Sequence, residues 1–443
     1  MNSSIENQPV PPGPSDQIDL GETEDSLERM VRYFAEFGDT YRIYAPRRRS
    51  HTWVITHPDD VKRVLVTNHR NYTKGIGLDR VKILLGKGIM VSEGEFWRRQ
   101  RRMIQPAFHR RVIARFSGIV AESNRRQAAR WDAKAANGEP INITTEMSEL
   151  TLDIVLRAIF GHDLERMADQ AGDNPFAVVT REPARNLQFA FRFRSLSKVV
   201  AQVVQRRRAA PDEDNFDFLA MLMAARDPDT DQPMQDNELI DEILTLVVAG
   251  HETTASALNW TWYLLAQHPQ VESKLHSELD NAQNAAEPGL QMLEGLTYTQ
   301  QVINEALRLY PPGWLITRRS IAADRLGGFE LPPGTDVLLS PYIIHRQPAY
   351  WPDAQAFQPE RFTAEAETAR PRYAYIPFVA GPRHCVGESF ALYEMAAHLY
   401  TAARRFKLRL LDTPANRKPI ELDAQINLRT RNDLHMTLER RQG

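Results

Sequence analysis

The sequence predicts a mainly α protein with small β-sheets. Apolar residues recur at helical spacing in several stretches, and the longest of these opens at Asp236 and continues to Leu265. Two short runs of alternating residues, Thr40–Tyr44 and His51–Ile55, are typical of a β-hairpin. Since no internal repeat and no linker rich in proline or glycine divides the chain, we expect a single domain over residues 21–443.

The composition indicates a folded protein with a large core and argues against some classes of function. The chain has 443 residues, of which 42% are apolar and 25% are charged, as is ordinary for globular proteins. A net charge of −2 gives no support for nucleic-acid binding. The single cysteine cannot form an internal disulfide, so we expect a reducing compartment, the cytoplasm.

The first residues of the chain, 1–20, are polar and contain four prolines. They hold neither the apolar core of a signal peptide nor a stretch that could cross a bilayer. We therefore expect a disordered lead-in over residues 1–20 and no membrane span.

The first part of the chain alternates helices with short strands. A helical pattern over Glu22–Phe37 precedes the hairpin, and the glycine-punctuated segment Asn71–Met90 predicts an irregular loop. Glu93–Gln105 predicts a helix that Pro106 stops. On that helix Trp97 and Arg101 share one face. A solvated basic helix with one aromatic anchor explains this pattern as well as a binding site does.

Further helices follow along the chain. Ile143–Phe160 predicts an amphipathic helix closed by Gly161, and Phe176–Val204 predicts two helices with a loop between them. Ile303–Tyr310 predicts a helix that is halted by prolines. This helix carries Glu305 and Arg308 three residues apart, a spacing that by itself is most often a surface ion pair.

The middle of the longest predicted helix breaks the rules for a buried helix. Gly250 costs roughly 1 kcal/mol relative to alanine there, and Glu252 with Thr253 and Thr254 adds polar groups to an apolar element. Such departures favour a functional site. The alternative is that the threonines bond back to helix carbonyls and that Glu252 is ion-paired.

The loop Phe378–Gly387 holds the only cysteine of the chain, Cys385. A helix pattern begins just after it, and the free N–H groups of a helix start favour an anionic thiol. Gly381 and Gly387 remove side chains on either side of the thiol, as an approaching bulky group would require. The residues alone leave two interpretations open: a thiolate metal ligand, or a buried and inert cysteine.

Together, four motifs in this order resemble those of the cytochromes P450, the haem-thiolate monooxygenases. The resemblance extends from about Glu22 over most of the chain, and its one small departure is Ala380, where many relatives have glycine. The motifs are Trp97-x-x-x-Arg101, the segment Ala249–Thr254, Glu305-x-x-Arg308 followed by Pro359–Phe362, and the loop from Phe378 through Gly381, Arg383 and Cys385 to Gly387.

The resemblance implies the cytochrome P450 fold, with the long central helix over haem b and the cysteine loop on the opposite side. Cys385 would be the iron ligand, since a thiolate favours O–O cleavage. Glu305, Arg308 and Arg361 would form a structural ion cluster. Arg319 would be a less suitable propionate contact than Arg318. The remaining cofactor-binding residues would be Trp97, Arg101, Ala249, Gly250, Arg318, Phe378, Arg383 and Gly387.

The implied reaction is reductive activation of O2 and insertion of one oxygen atom, by hydroxylation or epoxidation, into a lipophilic small molecule such as a fatty acid or terpenoid. Thr253 and Glu252 would deliver protons, and Gly250 would let the helix backbone open to make room for O2. The substrate pocket would be lined by the loop around Ile76–Leu84, the helix face near Leu246 and Ala249, the turn at Trp314–Ile316, and Ile426.

Electrons would come from NAD(P)H through a separate ferredoxin or flavodoxin-type carrier, because the chain shows no flavin or nicotinamide domain. Arg98 and Arg102, with Arg110 and Arg111, would attract an acidic carrier. Three alternatives stay open at this point: a peroxygenase or isomerase of the same fold, a non-catalytic haem sensor, and a hydrolase in which His384 or His345 activates Cys385.

Overall fold

Helices make up most of the regular structure, and the strands are short, as the sequence predicts. The structure is a computed structural model, and it describes residues 9–20, 23–171, 175–181, 187–210, 215–412 and 420–441. The described helices are α1 (Ser26–Phe37), α2 (Pro58–Lys62), α3 (Leu78–Leu85), α4 (Gly94–Ile104), α5 (Arg110–Ile113), α6 (Ser117–Asn137), α7 (Ile143–Phe160), α8 (Asp163–Ala171), α9 (Val178–Arg181), α10 (Leu187–Ala209), α11 (Phe218–Ala224), α12 (Asp236–Gln267), α13 (Pro269–Asn281), α14 (Leu290–Glu294), α15 (Thr297–Leu309), α16 (Pro341–Ile344), α17 (Ala364–Ala369) and α18 (Glu388–Ala402).

The strands are between two and six residues long, and they form one larger sheet and three small ones. The described strands are β1 (Thr40–Ala45), β2 (Ser50–Ile55), β3 (Tyr72–Lys74), β4 (Ile141–Asn142), β5 (Ile316–Ser320), β6 (Asp324–Leu326), β7 (Phe329–Leu331), β8 (Asp336–Leu339), β9 (Phe406–Leu410), β10 (Leu422–Ala424), β11 (Leu428–Thr430) and β12 (His435–Arg440).

The chain forms two compact units, each built from three segments. The first unit comprises Met1–Leu78, Asn304–Cys385 and Glu421–Arg431. The second unit comprises Asp79–Ile303, Val386–Ile420 and Asn432–Gly443. The single domain over residues 21–443 that the sequence predicts stays a prediction.

The first unit is built on a five-stranded sheet with the order β1-β2-β8-β5-β3. Strands β1 and β2 are the predicted antiparallel hairpin, in which Thr40 pairs with Ile55. Strand β8 lies parallel to β2 and antiparallel to β5. Buried side chains such as Trp53, Val337 and Leu339 pack on this sheet and make it the core of the unit.

The second unit is built around α12, which packs along α7. A capping box of Gln235 and Glu238 starts α12, and Pro269 opens the next helix directly after it. For α7 the Asn142 side chain accepts a hydrogen bond from the Thr145 N–H, and Gly161 ends the helix with a φ of +53°. These end signals explain why the sequence predicts both helices at nearly their observed bounds.

Residues 71–90 differ from the predicted irregular loop, because they contain β3 and α3. The prediction fails here since Gly75 and Gly77 interrupt the periodic pattern at the junction of two short elements. The two helices predicted within Phe176–Val204 are confirmed as α9 and α10, and residues 182–186 between them lie outside the described part of the chain.

Part of the predicted lead-in, residues 9–20, lies in the first unit and contacts its strand β1. The Arg42 N–H donates to the Pro12 carbonyl at 2.9 Å, and Leu20 is buried. Residues 1–8 and 21–22 lie outside the described residues, so the disordered lead-in stays a prediction. None of the described helices has an apolar stretch of the length and hydropathy that a bilayer span needs.

Candidate functional site

The loop that carries Cys385 is held in shape by its own backbone. The Cys385 N–H donates to the Phe378 carbonyl at 2.9 Å, and the His384 N–H donates to the Gly381 carbonyl at 3.0 Å across a 3-10 turn over Gly381–Arg383. This arrangement leaves the Cys385 side chain exposed. The interpretation of Cys385 as a buried cysteine is therefore wrong.

Two residues of this loop have left-handed backbone. Gly381 has a φ of +72°, and a Cβ at this position would lie 2.0 Å from the Leu65 carbonyl oxygen, so only glycine fits. Val379 has a φ of +65°, which is strained for a β-branched residue. Ala380, in contrast, is extended with a φ of −148°. Alanine is thus accommodated there without strain.

The two neighbouring arginines of β5, Arg318 and Arg319, make different contacts. The Arg319 guanidinium makes two hydrogen bonds to the Asp336 carboxylate, at 2.9 and 2.8 Å. The Arg318 side chain is buried, with 8% of its surface exposed, and it donates to the Thr317 carbonyl at 2.9 Å. The Arg319 guanidinium is therefore paired with a carboxylate of the first unit.

Glu305 and Arg308 form a fully buried ion pair with bidentate geometry, at 2.6 and 2.7 Å. Arg361 approaches the same carboxylate at 3.4 Å. The Arg308 guanidinium also donates to the carbonyls of His345, Ala354 and Ala356. Because every partner belongs to the first unit's own framework, the cluster is structural, as the resemblance implies.

In the second unit, one face of α12 is partly exposed over two turns, although the helix is otherwise largely buried. The residues one turn before and after this face, Glu242 and Ala257, are buried. Glu252 is partly exposed on a neighbouring side of the helix. We call the exposed face the α12 stripe, and it consists of Leu246, Ala249, Gly250 and Thr253.

The α12 helix continues without interruption through the stripe. The Thr253 hydroxyl donates to the Ala249 carbonyl at 2.7 Å, so the alternative of a back-bonding threonine is confirmed for Thr253. A Cβ at Gly250 would lie 2.9 Å from Val155 Cγ2 on α7. Close packing of α12 on α7 is thus a second reason for glycine at this position, one that the sequence pattern does not reveal.

His251 lies between the stripe residues in sequence but on another side of the helix. It is buried, with 1% of its surface exposed, and its Nε2 atom lies 2.9 Å from Ser148 Oγ. The Thr151 hydroxyl donates to the His251 carbonyl at 3.3 Å. These contacts tie α12 to α7, so His251 has a structural role in this region.

On α4, Trp97 is buried and Arg101 is half-buried, and the Arg101 Nε donates to Gln105 Oε1 at 3.1 Å. Three of the four arginines of the predicted docking patch contact acidic residues of the second unit. Such exposed pairs contribute little to stability and can exchange partners. The pairs are Arg98–Glu95, Arg102–Asp229 and Arg110–Glu294.

The hydrolase alternative loses one of its two proposed bases. His345 is fully buried, and its Nε2 accepts a hydrogen bond from the Ile376 N–H at 2.9 Å. Burial also holds the pKa of this imidazole well below its ordinary value. Among the described residues, no group of three or more His, Cys, Asp or Glu side chains could hold a metal ion.

Comparison with known proteins identifies the family. The cytochrome P450 family model matches residues 16–435. Cyclooctatin synthase of Streptomyces melanosporofaciens is 36% identical over 370 residues, which are 80% of this chain and 80% of that protein. Pentalenene oxygenase of Streptomyces avermitilis is 31% identical over 386 residues, 84% of each chain.

The fold agrees with that of solved members. The crystal structure of the cytochrome P450 CYP102L1 superimposes with a TM-score of 0.84 at 24% identity, covering 98% of this chain and 100% of that chain. The family match spans nearly the whole sequence, and its members are monooxygenases that use haem and O2. The chain belongs to the cytochrome P450 family.

Proposed function

We propose that this monooxygenase inserts one atom of O2 into a terpenoid with a largely hydrocarbon skeleton. The α12 stripe carries this proposal, because three of its four residues, Leu246, Ala249 and Gly250, present apolar surface beside a single hydroxyl. Apolar surface with one polar group is typical of sites for lipophilic ligands. Two relatives are named for terpenoid chemistry, cyclooctatin synthase and pentalenene oxygenase, which favours a terpenoid over a fatty acid.

We propose that Cys385 is the iron ligand of haem b. The residues present fit this group, because the thiol is exposed and Gly381 leaves no Cβ in a tightly turned loop. A thiolate-ligated haem supplies electron density that favours cleavage of the O–O bond. Phe378 accepts the Cys385 N–H and thereby holds the orientation of the ligand residue.

We propose that four residues bind the haem propionates: Trp97, Arg101, Arg318 and Arg383. Charged donors pair strongly with carboxylates, and arginine offers two parallel N–H groups. The engagement of Arg319 with Asp336 supports the choice of Arg318 over its neighbour. Ala249, Gly250 and Gly387 would face the cofactor with little or no side chain.

We propose that Thr253 and Glu252 deliver protons to the reacting oxygen during turnover. A hydroxyl has one donor and two lone pairs, so Thr253 still accepts a hydrogen bond while it donates to Ala249. It can therefore hold a water molecule at the stripe. Glu252, one residue earlier and partly exposed, can exchange protons with solvent and supply that water.

We propose a separate ferredoxin or flavodoxin-type protein, reduced by NAD(P)H, as the electron donor. The paired arginines Arg98, Arg102 and Arg110 would exchange their present acidic partners for those of the carrier, and Arg111 is exposed. Such docking depends on ionic strength. A cytoplasmic location stays a prediction from the single cysteine.

The proposal is tested by replacing Thr253 and measuring how much peroxide and how much product form per NAD(P)H consumed. With a surrogate ferredoxin pair, NAD(P)H and cyclic terpenes, Thr253→Ala should release several-fold more peroxide per NAD(P)H and form correspondingly less product. Thr253→Ser, which keeps the hydroxyl, should retain most of the coupling.

Unchanged coupling in Thr253→Ala would contradict the role of Thr253. Product formation driven by peroxide alone, without the electron donor, would instead favour the peroxygenase alternative. If terpenes yield no product but fatty acids do, then the terpenoid assignment is wrong.

A further inference from the structure

The segment 86–89 lies with its backbone directly against α12. The Lys87 N–H donates to Asp241 Oδ2 at 2.8 Å, and the Ile89 N–H donates to Glu242 Oε2 at 2.8 Å. Two consecutive acidic residues of one helix thus bind two alternate backbone amides of a loop. Hydrogen bonds to ionised acceptors are about twice as strong as neutral ones.

Both glycines of this segment are required by its closeness to the helix. A Cβ at Gly86 would lie 2.1 Å from Asp241 Oδ2, and a Cβ at Gly88 would lie 1.9 Å from Thr245 Oγ1. Neither distance is possible between non-bonded atoms, and Gly86 also has a φ of +58°. A larger residue at either position would therefore force the segment or the facing side chain of α12 to move.

Burial strengthens the attachment. Glu242 is fully buried and Asp241 is 8% exposed, so water competes poorly for either carboxylate. Asp241 also accepts a hydrogen bond from Arg194 of α10 at 2.8 Å, through its other oxygen. One carboxylate therefore joins the segment, α10 and α12.

The attachment lies next to the α12 stripe. Glu242 precedes Leu246 by one helical turn, which is about 6 Å along the axis. The segment also approaches α12 at Thr245, the residue before Leu246, because a Cβ at Gly88 would lie 1.9 Å from Thr245 Oγ1. The Ile89 side chain is partly exposed. The predicted pocket lining at Ile76–Leu84 did not include this residue.

We propose that Asp241 and Glu242 are positioning residues, which hold segment 86–89 against α12 and thereby set which carbon of the substrate is oxygenated. This inference rests on the proposed monooxygenation of a terpenoid. The two carboxylates act through the backbone of Lys87 and Ile89 and touch neither the cofactor nor the reacting atoms.

The test combines a measurement that needs no substrate with one that does. In the holoenzyme, Glu242→Ala should speed amide hydrogen exchange in peptides covering residues 86–92 by about tenfold, as the loss of one buried hydrogen bond predicts. Glu242→Gln keeps an acceptor oxygen and should stay near the wild-type rate. Asp229→Ala removes an exposed acid of the same unit and serves as the control.

The second measurement is the ratio of oxygenated products from one terpenoid. Glu242→Ala should change this ratio at least several-fold, while the spectrum of the ferrous–CO complex stays that of the wild type. Faster exchange with an unchanged product ratio would refute positioning, and unchanged exchange would refute the attachment itself. If the wild type oxygenates no terpenoid, the proposed function fails, and the ratio is read instead from the hydroxylated positions of dodecanoic acid.

Discussion

Gly250 lies where α12 packs against α7, and there are two explanations for a glycine at this position. The resemblance to the cytochromes P450 implies that this glycine lets the helix open for O2. The structure shows an uninterrupted helix in which a Cβ would come within 2.9 Å of Val155 Cγ2. The packing of two helices is therefore sufficient to explain the glycine, whatever its role in the reaction.

Replacing Gly250 with alanine tests the packing explanation. Alanine should gain roughly 1 kcal/mol of helix propensity, but the contact with Val155 should cancel this gain in the otherwise unchanged protein. In a Val155→Ala background the same change should stabilise the fold. Urea unfolding of the four proteins of this double-mutant cycle measures the coupling, and strictly additive free energies of unfolding would contradict the account.

Glu394 on α18 is a buried acid that the proposed mechanism does not use. It is 1% exposed, and neither carboxyl oxygen has a hydrogen-bond partner among the described residues. Burial raises the pKa of this carboxyl well above its ordinary value. The folded protein therefore keeps a proton on Glu394 at pH values where the unfolded chain has lost it.

Glu394→Gln should consequently change how stability depends on pH. A raised folded pKa gives stability that is present below the unfolded pKa, about 4.3, and is lost as the pH rises. The advantage of the glutamine variant should therefore grow between pH 5 and pH 8, by at most about 1.4 kcal/mol per pH unit. Free energies of unfolding measured across that range check this, and a pH-independent difference between the two proteins would refute it.

At the residue scale, candidate site residues stand out in the sequence where a residue type is rare or its spacing is regular. Cys385 is unique in the chain, and its role as iron ligand stays a proposal, as does the choice of Arg318 over Arg319, which the pairing of Arg319 with Asp336 supports. The left-handed Val379 and the attachment through Glu242 were not predictable. A valine does not indicate a positive φ, and the sequence does not distinguish Glu242 from the other glutamates of a predicted helix.

At the scale of elements, the helices with clear end signals were predicted best. Helix α7 has its asparagine cap and its glycine end, and α12 has its capping box and the proline after it. The region 71–90 was missed because β3 and α3 are both short and lie on either side of glycines. Tertiary contacts, rather than local propensity, decide their structure.

The junction of α15 with the segment 345–361 depends on Arg308. Arg308→Met should destabilise the protein by about 3–5 kcal/mol, because it leaves the Glu305 carboxylate buried without its main partner. The matched control is Arg325→Met, which breaks an exposed pair with Glu330 at 4.0 Å and should cost less than about 1 kcal/mol. Thermal unfolding of both variants measures the contrast, and similar losses of stability would contradict the structural role of the cluster.

At the scale of the whole molecule, the family was predictable because four separate motifs occur along the chain in the order that is typical of the cytochromes P450. The family match over residues 16–435 confirms that prediction. The substrate was not predictable to the same degree, since apolar surface such as Leu246 accepts many lipophilic molecules. The names of two relatives, and not a motif of this chain, narrow the proposal to terpenoids.

The most direct test of the account is the absorption spectrum of the purified, reduced protein under carbon monoxide. A thiolate ligand from Cys385 predicts a strongly red-shifted Soret band, and Cys385→His should lose that shift while still binding haem. A red-shifted band that persists in Cys385→His, or a wild-type spectrum without the shift, would contradict the assignment of Cys385 as the iron ligand.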